Sequence, residues 1–170
     1  LARAVEVFAQ VTASDPYLVA GAFAAAAVPT RYALERGDWI AATQVPVVKS
    51  PAPFIDAIVH FAHGIGAARS NNAAVAQQAV EDLKVAESKL AKNAYWAGRV
   101  SIQRHVVEAW LSFANGAFDQ AVELMNKAVA LERGSEKSAI SPGPLAPARE
   151  QLGELLLELK RPNEALIAFA

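Results

Sequence analysis

His60 and His63 stand one helical turn apart, and His105 falls on a later segment of helical pattern. Two histidines at that spacing share a helix face and can ligate a divalent metal. A usable site needs three or four convergent ligands. Only Asp56 is near this pair in sequence, and the neighbours are apolar Ile58, Phe61 and Ile65. The histidines therefore read as structural, and no metal is expected. Serine, histidine and carboxylates are all present, but no Gly-x-Ser-x-Gly elbow exposes a nucleophile and no P-loop cradles a phosphate. Gly64-Ile65-Gly66 is half of a dinucleotide fingerprint, yet it lies inside a helical pattern and does not follow a strand. His63-Gly64 reads better as a point of close helix packing. No catalytic residue and no cofactor is expected.

Two rows of side chains fit recognition better than reaction. Trp96, Arg99, Gln103, Val106, Trp110 and Phe113 recur at three- and four-residue steps, so they share one helix face. Aromatic and arginine side chains are the usual anchors of interfaces, so this stripe suits a bound peptide. The same spacing also suits packing against neighbouring helices. Glu150, Glu154 and Glu158 form a second row. Like charges at that spacing cost an isolated helix about 0.2–0.5 kcal/mol per pair. A basic partner, arginines of a neighbouring helix pair, or plain solvent would each relieve that cost. The candidate partner-binding residues are Arg99, Gln103, Trp110, Glu150, Glu154 and Glu158.

The elements that must carry these rows are helical. Alanine, the best helix former, is abundant. No segment alternates apolar and polar residues as a strand does. The net charge of −1 argues against broad electrostatic binding to nucleic acid or to an anionic membrane surface. With no cysteine, disulfides and thiolate metal sites are excluded. The apolar run from Tyr17 to Val28 is too short to span a bilayer and reads as a buried helix, so no membrane insertion is expected.

Along the chain, Leu1 to Phe8 already reads as helix. Ser14 or Asp15 with Pro16 starts the next helix, which Pro29 is expected to interrupt. Thr30–Arg36 then makes a short helix ended by Gly37, and Asp38 caps a helix from Trp39 to about Val45. Pro46, Pro51 and Pro53 make the following stretch extended. Helices are expected over Phe54–Arg69, from Ala73 to about Ala91, over Ala94–Ala114 behind the Asn93 cap, and over Phe118–Leu131. Gly134 to Pro144 is a loop, and Leu145–Leu159 with Pro162–Ala170 form the last pair.

A motif recurs across these helices: a turn residue, then an alanine that opens the returning helix. Ala42 and Ala76 are 34 residues apart, Ala76 and Ala121 are 45, and Ala121 and Ala165 are 44. The first interval equals the tetratricopeptide period. Between Ala76 and Ala121 the extra residues should lengthen helices, taking the one after Asn93 beyond about twenty residues, because three added turns nearly preserve helix phase. Between Ala121 and Ala165 they should form the Gly134–Pro144 loop. All of these alanines should be buried.

The last unit carries the clearest likeness. Leu152-Gly153, Leu156, Glu164-Ala165-Leu166 and Phe169 sit where the tetratricopeptide repeat family puts its packing residues, and the chain resembles that family over most of its length. It departs from the pattern at Pro29 and at Ala109, where glycine is usual. The stretches Lys92–Gly98 and Ser141–Glu150 look like the C-terminal part of a group of bacterial multi-repeat proteins. The resemblance implies an all-α, right-handed α-solenoid of antiparallel helix pairs, a single domain over residues 1–170 that is an excerpt of a longer array. It implies a concave side lined by first helices, near Arg31, Glu35, Arg69, Gln103, Trp110 and the Glu150–Glu158 row. The family's Lys and Asn clamp for C-terminal peptides has no counterpart here. The expected function is a non-enzymatic scaffold for a protein or peptide. The alternative is a regulatory or structural repeat domain of a larger enzyme or regulator.

Overall fold

Among the described residues, four with left-handed backbone punctuate the chain: Gly37 (φ 63°), Asn71 (59°), Gly116 (78°) and Lys160 (60°). Each ends a helix with the same pair of hydrogen bonds. At Gly37, its own N–H reaches Leu34 O and that of Asp38 reaches Ala33 O, both at 3.0 Å. The equivalents bring Asn72 to Ala67, Ala117 to Ser112 and Arg161 to Leu156. This is the Schellman closure, which satisfies the last carbonyls of a helix and turns the chain back. Each left-handed residue lies five positions before one of the recurring alanines. Ala42, Ala76 and Ala121 are fully buried and Ala165 is nearly so. The recurring motif is thus a turn with a fixed lead into a close helix contact.

The computed structural model describes residues 19–47, 50, 52–135 and 143–170. They form α1 (Val19–Glu35), α2 (Trp39–Thr43), α3 (Pro53–Arg69), α4 (Ala73–Lys89), α5 (Ala94–Ala114), α6 (Phe118–Gly134), α7 (Ala148–Glu158) and α8 (Pro162–Phe169). No strand occurs among the described residues. The helix expected at Leu1–Phe8, the start at Ser14–Pro16 and the loop centre at 136–142 lie outside them. Every helix packs on its successor, and α1, α3, α5 and α7 also touch in that order. Asp38, Asn72 and Asn93 cap α2, α4 and α5 by accepting N–H bonds from Ala41, Val75 and Trp96. The α5 helix has 21 residues, so part of the extra length before Ala121 is helical.

The expected boundaries need correction in four places. Pro29 does not interrupt its helix: α1 runs through it to Glu35. The proline lacks only one N–H, and Ala22, Ala26, Thr30 and Ala33 remain buried across it, so packing holds both halves in line. The α2 helix stops at Thr43 because Val45 is drawn into the core and its carbonyl serves another residue. The α6 helix extends through Gly134. The α7 helix starts at Ala148, since Pro147 sits in extended backbone (φ −56°, ψ 138°) and holds the preceding residues out of the helix.

The largest core runs between α3, α4, α5 and α6, with Phe61, Ile65, Leu83, Val106, Trp110 and Met125 at its centre. A second cluster joins α1 to α3 through Ala22, Ala26, Ile55 and Ile58. Glycines let the α3 backbone come close to its neighbours. A Cβ on Gly66 would lie 2.6 Å from Trp39 O and 2.8 Å from Ala42 Cβ. One on Gly64 would lie 2.5 Å from Val107 Cγ1, so the close packing expected at His63-Gly64 is present. Gly153 likewise leaves room for the ring of Phe169.

Candidate functional site

Stacking α1, α3 and α5 side by side leaves a cleft between them. Phe23 from α1, Phe54 and Phe61 from α3, and Tyr95 and Trp96 from α5 give it aromatic walls. The first turns of α3 and α5 meet there, with Phe54 stacked on Trp96 at 3.8 Å between ring centroids and 8° between planes. The unfilled volume is about 640 Å³ including solvent at the mouth, of which only about 60 Å³ admits the centre of a water molecule. The site is therefore a slot and not a chamber.

Polar groups enter the slot at few points. Arg99 lies over the ring of Tyr95 at 5.4 Å. Gln103 Oε1 is buried with no hydrogen-bond partner among the described residues. Glu132 comes from α6, and Ala148 donates its backbone N–H to Glu132 Oε2 at 2.9 Å. Glu132 thus caps α7, which has no side-chain cap of its own. Burial pushes its pKa up, against the pull of the Ala148 N–H and of Arg99.

The remaining wall is Gly143–Ala146, the segment leading into α7. Leu145 packs with Phe23 and Phe54 on the second core cluster, and Arg31 Nη2 donates to Pro144 O at 3.2 Å. The same Pro144–Ala146 residues border a second cleft whose other walls include Arg31, Glu35, Glu150 and Glu154.

Arg99 and Gln103 both line the aromatic slot, but Trp110 does not join them. It is fully buried. Its indole N–H donates to Gln151 Oε1 at 2.8 Å, and Arg69 lies on its face at 4.1 Å. Trp110 has no surface to offer a partner, and its place in the candidate interface is withdrawn. The stripe rotates from slot to interior between Val106 and Trp110 because α5 packs on both α3 and α7.

The glutamate row is not simply solvated. Arg69 Nη1 reaches Glu154 Oε2 at 3.3 Å, and Arg69 Nη2 reaches Glu158 Oε1 at 2.9 Å. The Arg69 guanidinium also lies 4.5 Å from the Trp39 ring, so two indoles and two carboxylates share one cation. Desolvation raises the Glu154 pKa, with Arg69 pulling it down and Glu150 and Glu158 pushing it up. Glu150 is exposed and borders the second cleft. The single surface expected to join Arg99 and Gln103 to this row is divided, since residues 144–146 line both clefts.

The histidines are engaged within the fold. His63 Nε2 donates to Val45 O at 2.7 Å and His105 Nδ1 to Ser101 O at 2.7 Å; a carbonyl only accepts, which fixes each tautomer. His60 Nδ1 faces Asp82 at 3.5 Å. No three His, Asp or Glu side chains converge as metal ligands among the described residues. No described helix is long and apolar enough to cross a membrane.

Sequence reasoning placed Arg69 near the concave side without its partners, and it missed Trp39, Glu132 and Leu145. Only Leu145 carried a signal, as the apolar residue between prolines in Pro144-Leu145-Ala146-Pro147. Compared with known proteins, the chain matches no family model, no curated protein and no solved structure.

Proposed function

We propose that this chain is a non-enzymatic interaction module, a right-handed solenoid of antiparallel helix pairs of the tetratricopeptide kind, that takes an extended peptide in the slot between α1, α3 and α5. The observation that carries this reading is the slot itself: aromatic walls with a cation at Arg99 and an unpaired acceptor at Gln103. An extended peptide offers apolar side chains to such walls, and offers carbonyl and N–H groups to an arginine and an amide oxygen. Ligand sites are commonly apolar clefts with few convergent polar groups. The nearly balanced charge supports a protein or peptide partner over nucleic acid.

The test is a selection of peptides from a random library on the folded chain, followed by titration read through Trp96 emission. Selected peptides should lose about tenfold or more in affinity on Arg99→Ala or Phe54→Ala, the size expected of interface anchors. Peptides that bind both variants and the parent alike would overturn the assignment of the slot.

A further inference from the structure

Residues Gly143–Ala146 form one wall of the slot, and the way they are held resembles the docking of a ligand. Leu145 is half-buried and packs, as Phe23 and Phe54 do, against the second core cluster. Ala146 packs on the main core. The Pro144 carbonyl takes a bond from Arg31 across 113 residues of sequence. The chain bends at Leu145 and Ala146, and Pro147 beyond the bend borders the second cleft with extended backbone, φ −56° and ψ 138°. The segment is thus an apolar residue flanked by prolines, lying against aromatic rings. Aromatic-lined grooves are a recurring receptor for proline-bearing peptides, because proline reduces the entropy lost on ordering.

We propose that the ligand of the slot is a proline-flanked apolar peptide, and that Pro144–Pro147 is a built-in copy of it that competes in cis. Two polar side chains that line the slot, Arg99 over the Tyr95 ring and Gln103, match this chemistry. Such a peptide has a carbonyl at every residue, for Arg99, and an N–H only at its non-proline residues, for Gln103 Oε1. Only about 60 Å³ of the slot admits the centre of a water molecule, which leaves no room for a second peptide while Leu145 is seated, so entry of a partner and release of the cis segment are linked. Glu132 holds Ala148 at the start of α7, so release can stop there and leave the helix capped.

This inference rests on the reading of the slot as a peptide site. The probe is the acetylated, amidated peptide of residues Gly143–Arg149, titrated against the full chain and followed by Trp96 emission. Trp39 and Trp110 do not line the slot and supply a constant background. Leu145→Ser unseats the cis segment, and Arg31→Ala loosens it from an exposed position if the first variant melts early. Either folded variant should bind the peptide about tenfold more tightly than the parent, as when a competitor that fills the site about nine-tenths of the time is removed. Adding Arg99→Ala to either should weaken that binding. Equal affinity for parent and both variants would overturn the cis competition. Failure of the peptide to bind either folded variant, while library-selected peptides shift Trp96, would overturn the proline-flanked ligand and leave the peptide site standing. If no peptide of any sequence shifts Trp96 in a folded variant, both fall.

Discussion

Trp110 donates its indole N–H to Gln151 Oε1 across 2.8 Å, and both residues are buried between α5 and α7. The pair closes a polar gap in an otherwise apolar contact. Gln151→Leu would leave the indole N–H without a partner and should cost about 1–3 kcal/mol. Trp110→Phe combined with Gln151→Leu removes both polar groups, so the double variant should be more stable than the sum of the single losses allows. Urea denaturation of the four proteins in the cycle measures the coupling, and strict additivity would show that the bond contributes nothing.

The glycines of α3 and α5 should respond in opposite directions to the same change. Gly66→Ala sets a methyl against Trp39 O at 2.6 Å and Ala42 Cβ at 2.8 Å. Backbone cannot swing aside, so the expected loss is about 1–3 kcal/mol despite better helix propensity. Gly98 is exposed within α5, with nothing near its missing Cβ. Gly98→Ala should raise stability by about 0.8–1 kcal/mol. Paired thermal melts decide, and two shifts of one sign would contradict the packing at Gly66.

Glu132 supplies from α6 the cap that α7 lacks. Glu132→Ala should cost about 0.5–2 kcal/mol, as the loss of a capping oxygen does. Glu132→Gln keeps an acceptor and sheds a charge that burial disfavours, so it should cost less. Amide exchange at Ala148 offers a local readout, with protection lost in the alanine variant and retained in the glutamine one.

His105 should make stability fall on mild acidification. Its pKa is lowered from 6.5, first by burial and further by Arg104 and Lys127, with the Ser101 carbonyl and Glu108 acting the other way. The unfolded chain takes up the proton near 6.5, and the folded chain only at lower pH. The contribution is therefore complete above 6.5 and drains away as pH falls through the folded value. His60 is shifted in the same sense by burial. Urea midpoints compared between neutral and mildly acidic buffer should drop less in His105→Gln than in the parent. An unchanged drop would assign the whole effect to other groups.

The helices and turns were legible in the sequence because their signals are local. Gly37, Asn71-Asn72 and Gly116 announce left-handed closures within a few residues, and the alanines that follow them are buried as their spacing implied. Pro29 misled because a local penalty was outweighed by packing on α3 from elsewhere in the chain. The site was legible only in part. An aromatic stripe at helical spacing has the same pattern whether it lines a slot or fills a core, so Trp96 and Trp110 could not be told apart without the neighbours of α5. Residues Gly143–Ala146 had the composition of a loop, and composition does not say which surface a loop lies on. The partners of Arg69 stand on separate helices, beyond the reach of any local pattern.

Arg69 also bears on how the molecule comes apart. A chain whose units touch only their neighbours in sequence can fray from an end, each unit opening at its own small cost. Arg69 reaches carboxylates 85 and 89 positions further along, while its other face rests on Trp39 from the first turn of α2. Loosening of α7 strips the cation of both counter-charges and exposes Trp110, which weakens the contact with Trp39 in turn. The last helices therefore do not peel away silently: their departure is felt at α2 and α3 through one side chain that belongs to α3.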